Sequence, residues 1–273
     1  MGVRLARRFS IPLVFTYHTQ LEEYAHYVPF ERKTTRRAAT TLTRAYANLA
    51  DTVIVPTSAM EARLRGLGVT APIAVIPTGI DERFAAGRRN DALRERLGAT
   101  KLILLVSRLA REKNIDLAIQ SLAGLEDTVH LVLAGEGPAR AGLEAGAQAA
   151  GVGARVHFLG HVQRQELPDL YASSDAFVFP SFTETQGLVL AEALVAGLPV
   201  VAVDTPQSRE ALDGRGLLVS PRPDAVAFGL REALQMQPDQ SAAHLALKRF
   251  SLRLQAERTI EIYQGLLAER RTA

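Results

Sequence analysis

Glu184 and Glu192 have seven residues between them, among which Gly187 precedes the apolar run that starts at Leu188. A glycine at that point clears side-chain bulk from the start of a helix. The first N–H groups of a helix lack partners inside it and carry the positive end of its dipole, so this junction suits a phosphate. Glu184, ahead of the helix, and Glu192, in its second turn, would reach different parts of one extended ligand. Glu184 would also serve as a cap. Glu192 lies between Leu188-Val-Leu-Ala and Ala-Leu-Val-Ala196, which does not suit a solvated face, and a buried carboxylate without a partner is costly.

Two cations, Arg108 and Lys113, fall in a single loop, as a diphosphate requires when no metal neutralises it. The sequence has no Asp-x-Asp pair to hold Mg²⁺ or Mn²⁺ against a nucleotide diphosphate, so no cofactor and no metal are expected. Taken alone, such cations also fit a solvated surface. Gly135-x-Gly137-Pro138 is too short for a dinucleotide fingerprint, and neither a Gly-x4-Gly-Lys-Ser/Thr loop nor a Gly-x-Ser-x-Gly elbow occurs. Nicotinamide oxidoreductases, P-loop kinases and serine esterases therefore lose their main support. With no cysteine, disulfides, thiolate metal sites and cysteine nucleophiles are excluded. His18 ends the segment Phe15-Thr-Tyr-His and would sit at a strand end, where a lone histidine is either structural or turned to a cleft.

The elements that must position these residues alternate along all 273 residues: short β-branched runs separated by helical stretches, the pattern of parallel sheets wrapped by helices. Strands are expected at Pro12 to Tyr17, Thr52 to Pro56, Ile73 to Pro77, Leu102 to Ser107, Val129 to Ala134, Val156 to Phe158, Ala176 to Phe179, Pro199 to Val203 and Gly216 to Val219. In open α/β sheets ligands bind beyond the carboxyl ends of the strands, and the loops just described follow such ends. The polar, Arg-rich stretch after Thr78-Gly79-Ile80-Asp81 places a lobe boundary at about residue 88. This gives a partial first lobe (1–88), a second, ligand-binding lobe (89–255) and a C-terminal helix (256–273). Three strands before the boundary against six after it predict a first lobe that lacks its beginning.

Net charge is only +3, yet residues 1–50 hold eight Arg or Lys against three Asp or Glu. Arg32, Lys33, Arg36, Arg37 and Arg44 largely share one side of a helix, which fits anionic lipid headgroups as well as it fits a solvated face. No signal peptide is legible. The longest apolar stretch, Gly187 to Val203, is broken by Glu192 and Pro199 and falls short of the roughly 20 residues that span a bilayer. A cytoplasmic location is expected, with peripheral attachment to the inner face of the plasma membrane as the membrane reading of the basic stretch.

Ser107-Arg108 with Glu112-Lys113-Asn114, Gly135-Glu-Gly-Pro138, and Pro180-Ser181 through Glu192 together resemble the retaining family 4 glycosyltransferases of GT-B fold. The resemblance covers nearly the whole chain. It implies two Rossmann-like lobes with parallel sheets, the N-terminal one incomplete. It implies that Glu184 contacts the donor sugar, Glu192 the ribose, and Arg108 and Lys113 the diphosphate. Gly137, Thr185, Gly187 and Leu188 complete the donor-binding set, Val162 touches the base through its backbone, and His18 lies near the sugar with Glu184. Transfer would run on the front face of the sugar, the leaving diphosphate helping to take the acceptor's proton. Thr16 to Tyr27 and Thr183 to Val189 look like the bacterial diacylglycerol glucosyltransferases. The implied partners are then UDP-glucose and a lipid acceptor at an anionic membrane surface, with no nucleic acid. Mannosyl- and N-acetylglucosaminyltransferases share most of these motifs, and a donor-lobe protein that binds nucleotide sugar without transferring it is the alternative from another class.

Overall fold

A computed structural model describes residues 2–22 and 31–272, with the side chains of Arg32, Arg271 and Thr272 outside that description. The chain divides into two compact units. The first comprises Met1–Gly79, Thr183–Gln186 and Phe250–Ala273, and the second Ile80–Phe182 and Gly187–Arg249. By packing, the boundary therefore falls at Gly79 rather than residue 88, and the C-terminal helix groups with the first unit.

The first unit contains a three-stranded parallel sheet in the order β1 (Val14–Thr16), β2 (Thr52–Val55), β3 (Ile73–Val75). β2 is the central strand and is buried along its whole length. Val53 and Val55 pack with Met60 and Leu64 from α3 (Ser58–Gly66) and with Ala47 from α2 (Arg32–Ala47). α2 turns Ala39, Thr43 and Ala47 inward, small residues four apart, which leaves Lys33, Arg36, Arg37 and Arg44 exposed. Its amino end is capped by Glu31, whose carboxylate accepts from the N–H groups of Lys33 and Thr34. A short helix, α1 (Gly2–Phe9), precedes β1, and the last helix, α12 (Leu252–Thr272), returns to this unit, where Gln255 accepts from the Gly79 N–H at 2.8 Å.

The second unit holds six parallel strands: β4 (Lys101–Val106), β5 (Val129–Ala134), β6 (Val156–Gly160), β7 (Ala176–Phe179), β8 (Val200–Val203) and β9 (Leu217–Val219). They lie in the order β6-β5-β4-β7-β8-β9, so the direction of winding reverses between β4 and β7. β5, β7 and β8 are buried at every position. Strands covered on both faces read as continuous apolar runs rather than alternating ones, which is why they are so plain in the sequence. The helices form two packing groups. One contains α5 (Ile115–Leu122), α6 (Arg140–Ala149) and α10 (Pro223–Ala233), and the other α8 (Leu188–Val195), α9 (Pro206–Leu212) and α11 (Gln240–Arg249). All nine expected strands are present. Among the described residues no helix is long and apolar enough to cross a membrane.

Candidate active site

In a doubly wound sheet the crevice opens where the strand order reverses, here at the carboxyl ends of β4 and β7. Asn114, in the left-handed conformation with φ 52°, closes the loop after β4, and its amide donates to the Pro180 carbonyl after β7 at 3.2 Å. Further backbone bonds join the neighbouring loops. Leu109 N–H donates to Glu136 O at 2.8 Å, and Gly135 N–H to Gly160 O at 2.8 Å. The approach is so close that a Cβ on Gly135 would stand 2.0 Å from Ser107 O, and one on Gly137 2.2 Å from Leu109 O. Glycine is therefore required by the backbone at both positions. Gly137 packs against the Leu109 backbone, which gives its place in the motif a structural cause.

The linked loops enclose a cavity of about 370 Å³ whose lining includes Ser107, Arg108, Gly135, His161, Val162 and Val189. Arg108 is exposed and forms an ion pair with Glu112, four residues further on in the same loop. Lys113 ends the 3₁₀ turn Arg111–Lys113 in the same loop, half-buried and outside the lining. A second cavity of about 430 Å³, lined by Leu198, Gly216 and Met236 among others, contains none of the residues selected from the sequence.

Gly187 caps α8 with φ 73°, and Leu188 opens the helix with its side chain exposed. One turn further on, Glu192 is 5% exposed. Its Oε2 accepts from the Tyr171 hydroxyl at 3.0 Å, and its Oε1 lies 4.0 Å from the Arg164 guanidinium. Burial raises the Glu192 pKa, and the Tyr171 hydrogen bond and the Arg164 charge oppose that shift. The sequence reasoning missed Tyr171. Its only sequence signal is an aromatic residue on the apolar side of α7 (Leu167–Ala172), which reads as core.

The remaining candidates belong to the first unit. Residues Thr183–Gln186 are held by one side chain or backbone group from the loop after each of its three strands. Gln20, after β1, donates to Glu184 O at 2.8 Å, and Thr57, after β2, to Thr185 O at 2.9 Å. Thr78, after β3, exchanges two bonds with the Gln186 amide, at 2.8 and 3.0 Å. The peptide that presents Glu184 and Thr185 is thus fixed through its carbonyls. His18 shares the β1 loop with Gln20 and is exposed, and partial loss of hydration lowers its pKa from the ordinary value. Beneath that loop Glu22 is buried, with both Nε and Nη2 of Arg63 at 2.8 Å. The part of the Thr16 to Tyr27 motif from Glu23 onward lies outside the described residues. Gln20, Thr57, Glu112 and Gln186 were not singled out from the sequence as site residues. Only Glu112 offered a spacing signal, four residues after Arg108.

Residues 90–247 match the family described as Glycosyl transferases group 1, and residues 1–84 the one described as Glycosyltransferase Family 4. The chain is 33% identical over 265 residues to alpha-monoglucosyldiacylglycerol synthase of Streptococcus pneumoniae, covering 92% of this chain and 60% of that protein. It is 32% identical over 266 residues to a GDP-mannose-dependent alpha-mannosyltransferase of Mycobacterium tuberculosis, covering 95% of this chain and 64% of that one. Among solved structures it resembles HepE of Anabaena in complex with UDP, with a TM-score of 0.81 and 25% identity, covering 97% of this chain and 75% of the other. The chain thus spans less than two thirds of the length of these curated relatives. By its sequence profile and its pair of parallel α/β units, the chain belongs to the group 1 glycosyltransferases of GT-B fold.

Proposed function

We propose that this chain acts as a retaining hexosyltransferase that moves glucose from UDP-glucose to a lipid acceptor such as diacylglycerol, without a metal ion. The observation that carries the reading is the Arg108-lined cavity at the strand ends of the second unit, in a chain of this family. Arg108, Lys113 and the amino end of α8 would stabilise the charge that develops on the leaving diphosphate. Glu184 would hold the sugar and Glu192 the ribose. Retaining glycosidases place two carboxylates about 5 Å apart across the bond. Here only Glu184 is assigned to the sugar, so the leaving diphosphate, rather than a second carboxylate, takes the acceptor's proton.

The lipid acceptor is supported by the name of the pneumococcal relative and by the surface of the first unit. α1 exposes Arg4, Arg7 and Arg8 beside Leu5 and Phe9, and α2 exposes Lys33, Arg36, Arg37 and Arg44 beside Leu42 and Tyr46. Such a mixture of basic and apolar residues suits peripheral attachment to an anionic bilayer on the cytoplasmic side. A second donor, GDP-mannose, is favoured by the mycobacterial relative's name. Transfer of radiolabelled glucose from UDP-glucose, or mannose from GDP-mannose, to diacylglycerol in vesicles containing phosphatidylglycerol decides between them. Glucolipid formed from UDP-glucose is the expected product. Mannolipid alone replaces the donor, and binding of UDP without transfer to any lipid replaces the enzyme with a nucleotide-sugar-binding protein.

A further inference from the structure

Tyr171 has no place in the donor-binding set, yet its surroundings are built to hold one atom still. The residue is completely buried. Its ring stacks on Phe177 of β7 at 5.5 Å and meets the edge of Phe84 at 5.4 Å, so three separate elements fix the plane of the phenol. From that position the hydroxyl faces Glu192 Oε2 at 3.0 Å and the Val189 carbonyl at 3.5 Å. Donation goes to the carboxylate, the shorter and charged partner. Among the described residues Glu192 Oε1 has the exposed Arg164 at 4.0 Å, beyond hydrogen-bond length. An ionised carboxylate accepts about four hydrogen bonds, so this arrangement fills one oxygen and leaves the other with acceptor capacity. Val189, one turn before Glu192, lines the Arg108 cavity.

We infer that Tyr171 is a positioning residue that locks Glu192 by one oxygen and thereby presents the other to the ribose hydroxyls of the donor nucleotide. The inference rests on the nucleotide-sugar reading and adds to it the group that makes Glu192 selective for ribose. A carboxylate free to rotate would divide its time among several directions, whereas a locked one meets a hydroxyl in a fixed geometry. A site built to bond a hydroxyl rejects the ligand that lacks it, because its own polar group is then left unpaired.

The test is calorimetric titration of the whole chain with UDP and 2′-deoxy-UDP at pH 8. Wild type should favour the ribonucleotide by roughly tenfold or more, the equivalent of one hydrogen bond to a charged group. Glu192→Gln should reduce that preference several-fold. Tyr171→Phe, which removes one oxygen and no carbon, should reduce it equally while leaving the affinity for 2′-deoxy-UDP within about twofold of wild type. If Glu192→Gln abolishes the preference and Tyr171→Phe keeps it whole, the positioning role is overturned and the ribose assignment stands. If neither substitution changes it, the ribose assignment itself falls. Should Tyr171→Phe not fold, 3-fluorotyrosine at position 171 keeps the ring and strengthens the donor. The preference must then equal or exceed that of wild type, and a lower one overturns the proposal.

Discussion

Arg108 pairs with Glu112, four residues further along the loop after β4, and lines the cavity at the strand ends of the second unit. A guanidinium paired with a carboxylate keeps a narrower range of orientations than a lone one, and the proposed role of Arg108 is to meet the diphosphate from that position. Lys113, in the same loop and half-buried, is the second cation assigned to the diphosphate in that proposal. Arg108→Ala and Lys113→Ala should each weaken UDP binding by about 1.5–3 kcal/mol, the range for hydrogen bonds to charged groups. UMP, which lacks the second phosphate, should lose less. Calorimetry with both nucleotides checks this, and equal losses would move these cations away from the β-phosphate. At this scale the sequence was most legible where charge and glycine coincide in a loop, as at Arg108, Gly135 and Gly187. It was silent on Tyr171, Gln20 and Thr57, whose contacts depend on which loops the folded chain brings together. A buried tyrosine that packs and a buried tyrosine that orients a carboxylate look identical in one dimension.

Between elements, β5 and β6 carry a feature apart from catalysis. His157 Nε2 and His130 Nδ1 lie 3.0 Å apart, with their rings stacked. With both rings neutral one proton joins the two nitrogens, and protonating the accepting nitrogen would break that bond and place a charge against the stacked neighbour. Burial lowers the pKa of His130, helped by Arg155 and opposed by a backbone hydrogen bond at Asp127. For His157 burial again comes first, followed by His130 and Arg96. With both pKa values below the unfolded value of 6.5, the unfolded chain binds more protons in mild acid. The stability from this pair is fully present above pH 6.5 and is lost as pH falls through the folded values. The thermal midpoint should therefore drop between pH 7 and pH 5, and His157→Gln should flatten that slope. An unchanged slope would show that the pair is not the titrating unit. Element boundaries followed a similar physical divide. β5 and β7 kept their expected limits because both faces are buried, whereas β1 shrank from the expected Pro12 to Tyr17 to Val14–Thr16.

For the molecule as a whole, a ligand that binds only the folded state raises its stability by mass action, by about 2.7 kcal/mol at a hundred times its Kd. UDP should raise the thermal midpoint, and EDTA should leave that rise intact, since cationic side chains are proposed to neutralise the diphosphate. A rise that depends on added Mg²⁺ or Mn²⁺ would overturn the metal-free proposal. The alternation of strands and helices made the class of fold legible, because every parallel strand needs a crossover before the next. The division of the chain was less so. Thr183–Gln186 belong by packing with residues far away in sequence, and nothing in their composition announces it.

That α12 packs with the first unit has a consequence in time. The first unit holds the earliest residues of the chain together with Phe250–Ala273, while the second is complete at Arg249. On a ribosome adding roughly 5–20 residues per second, the second unit is available to fold about one to a few seconds before α12 has been made. The packing of the first unit is therefore completed only after the second unit has been made. Until then its part of α12's packing surface is uncovered, and Asp51 waits for the ion pair it makes with Arg270. A nascent chain stalled after Arg249 should already protect its β4–β9 sheet from protease, while the β1–β3 sheet gains full protection only once α12 has emerged.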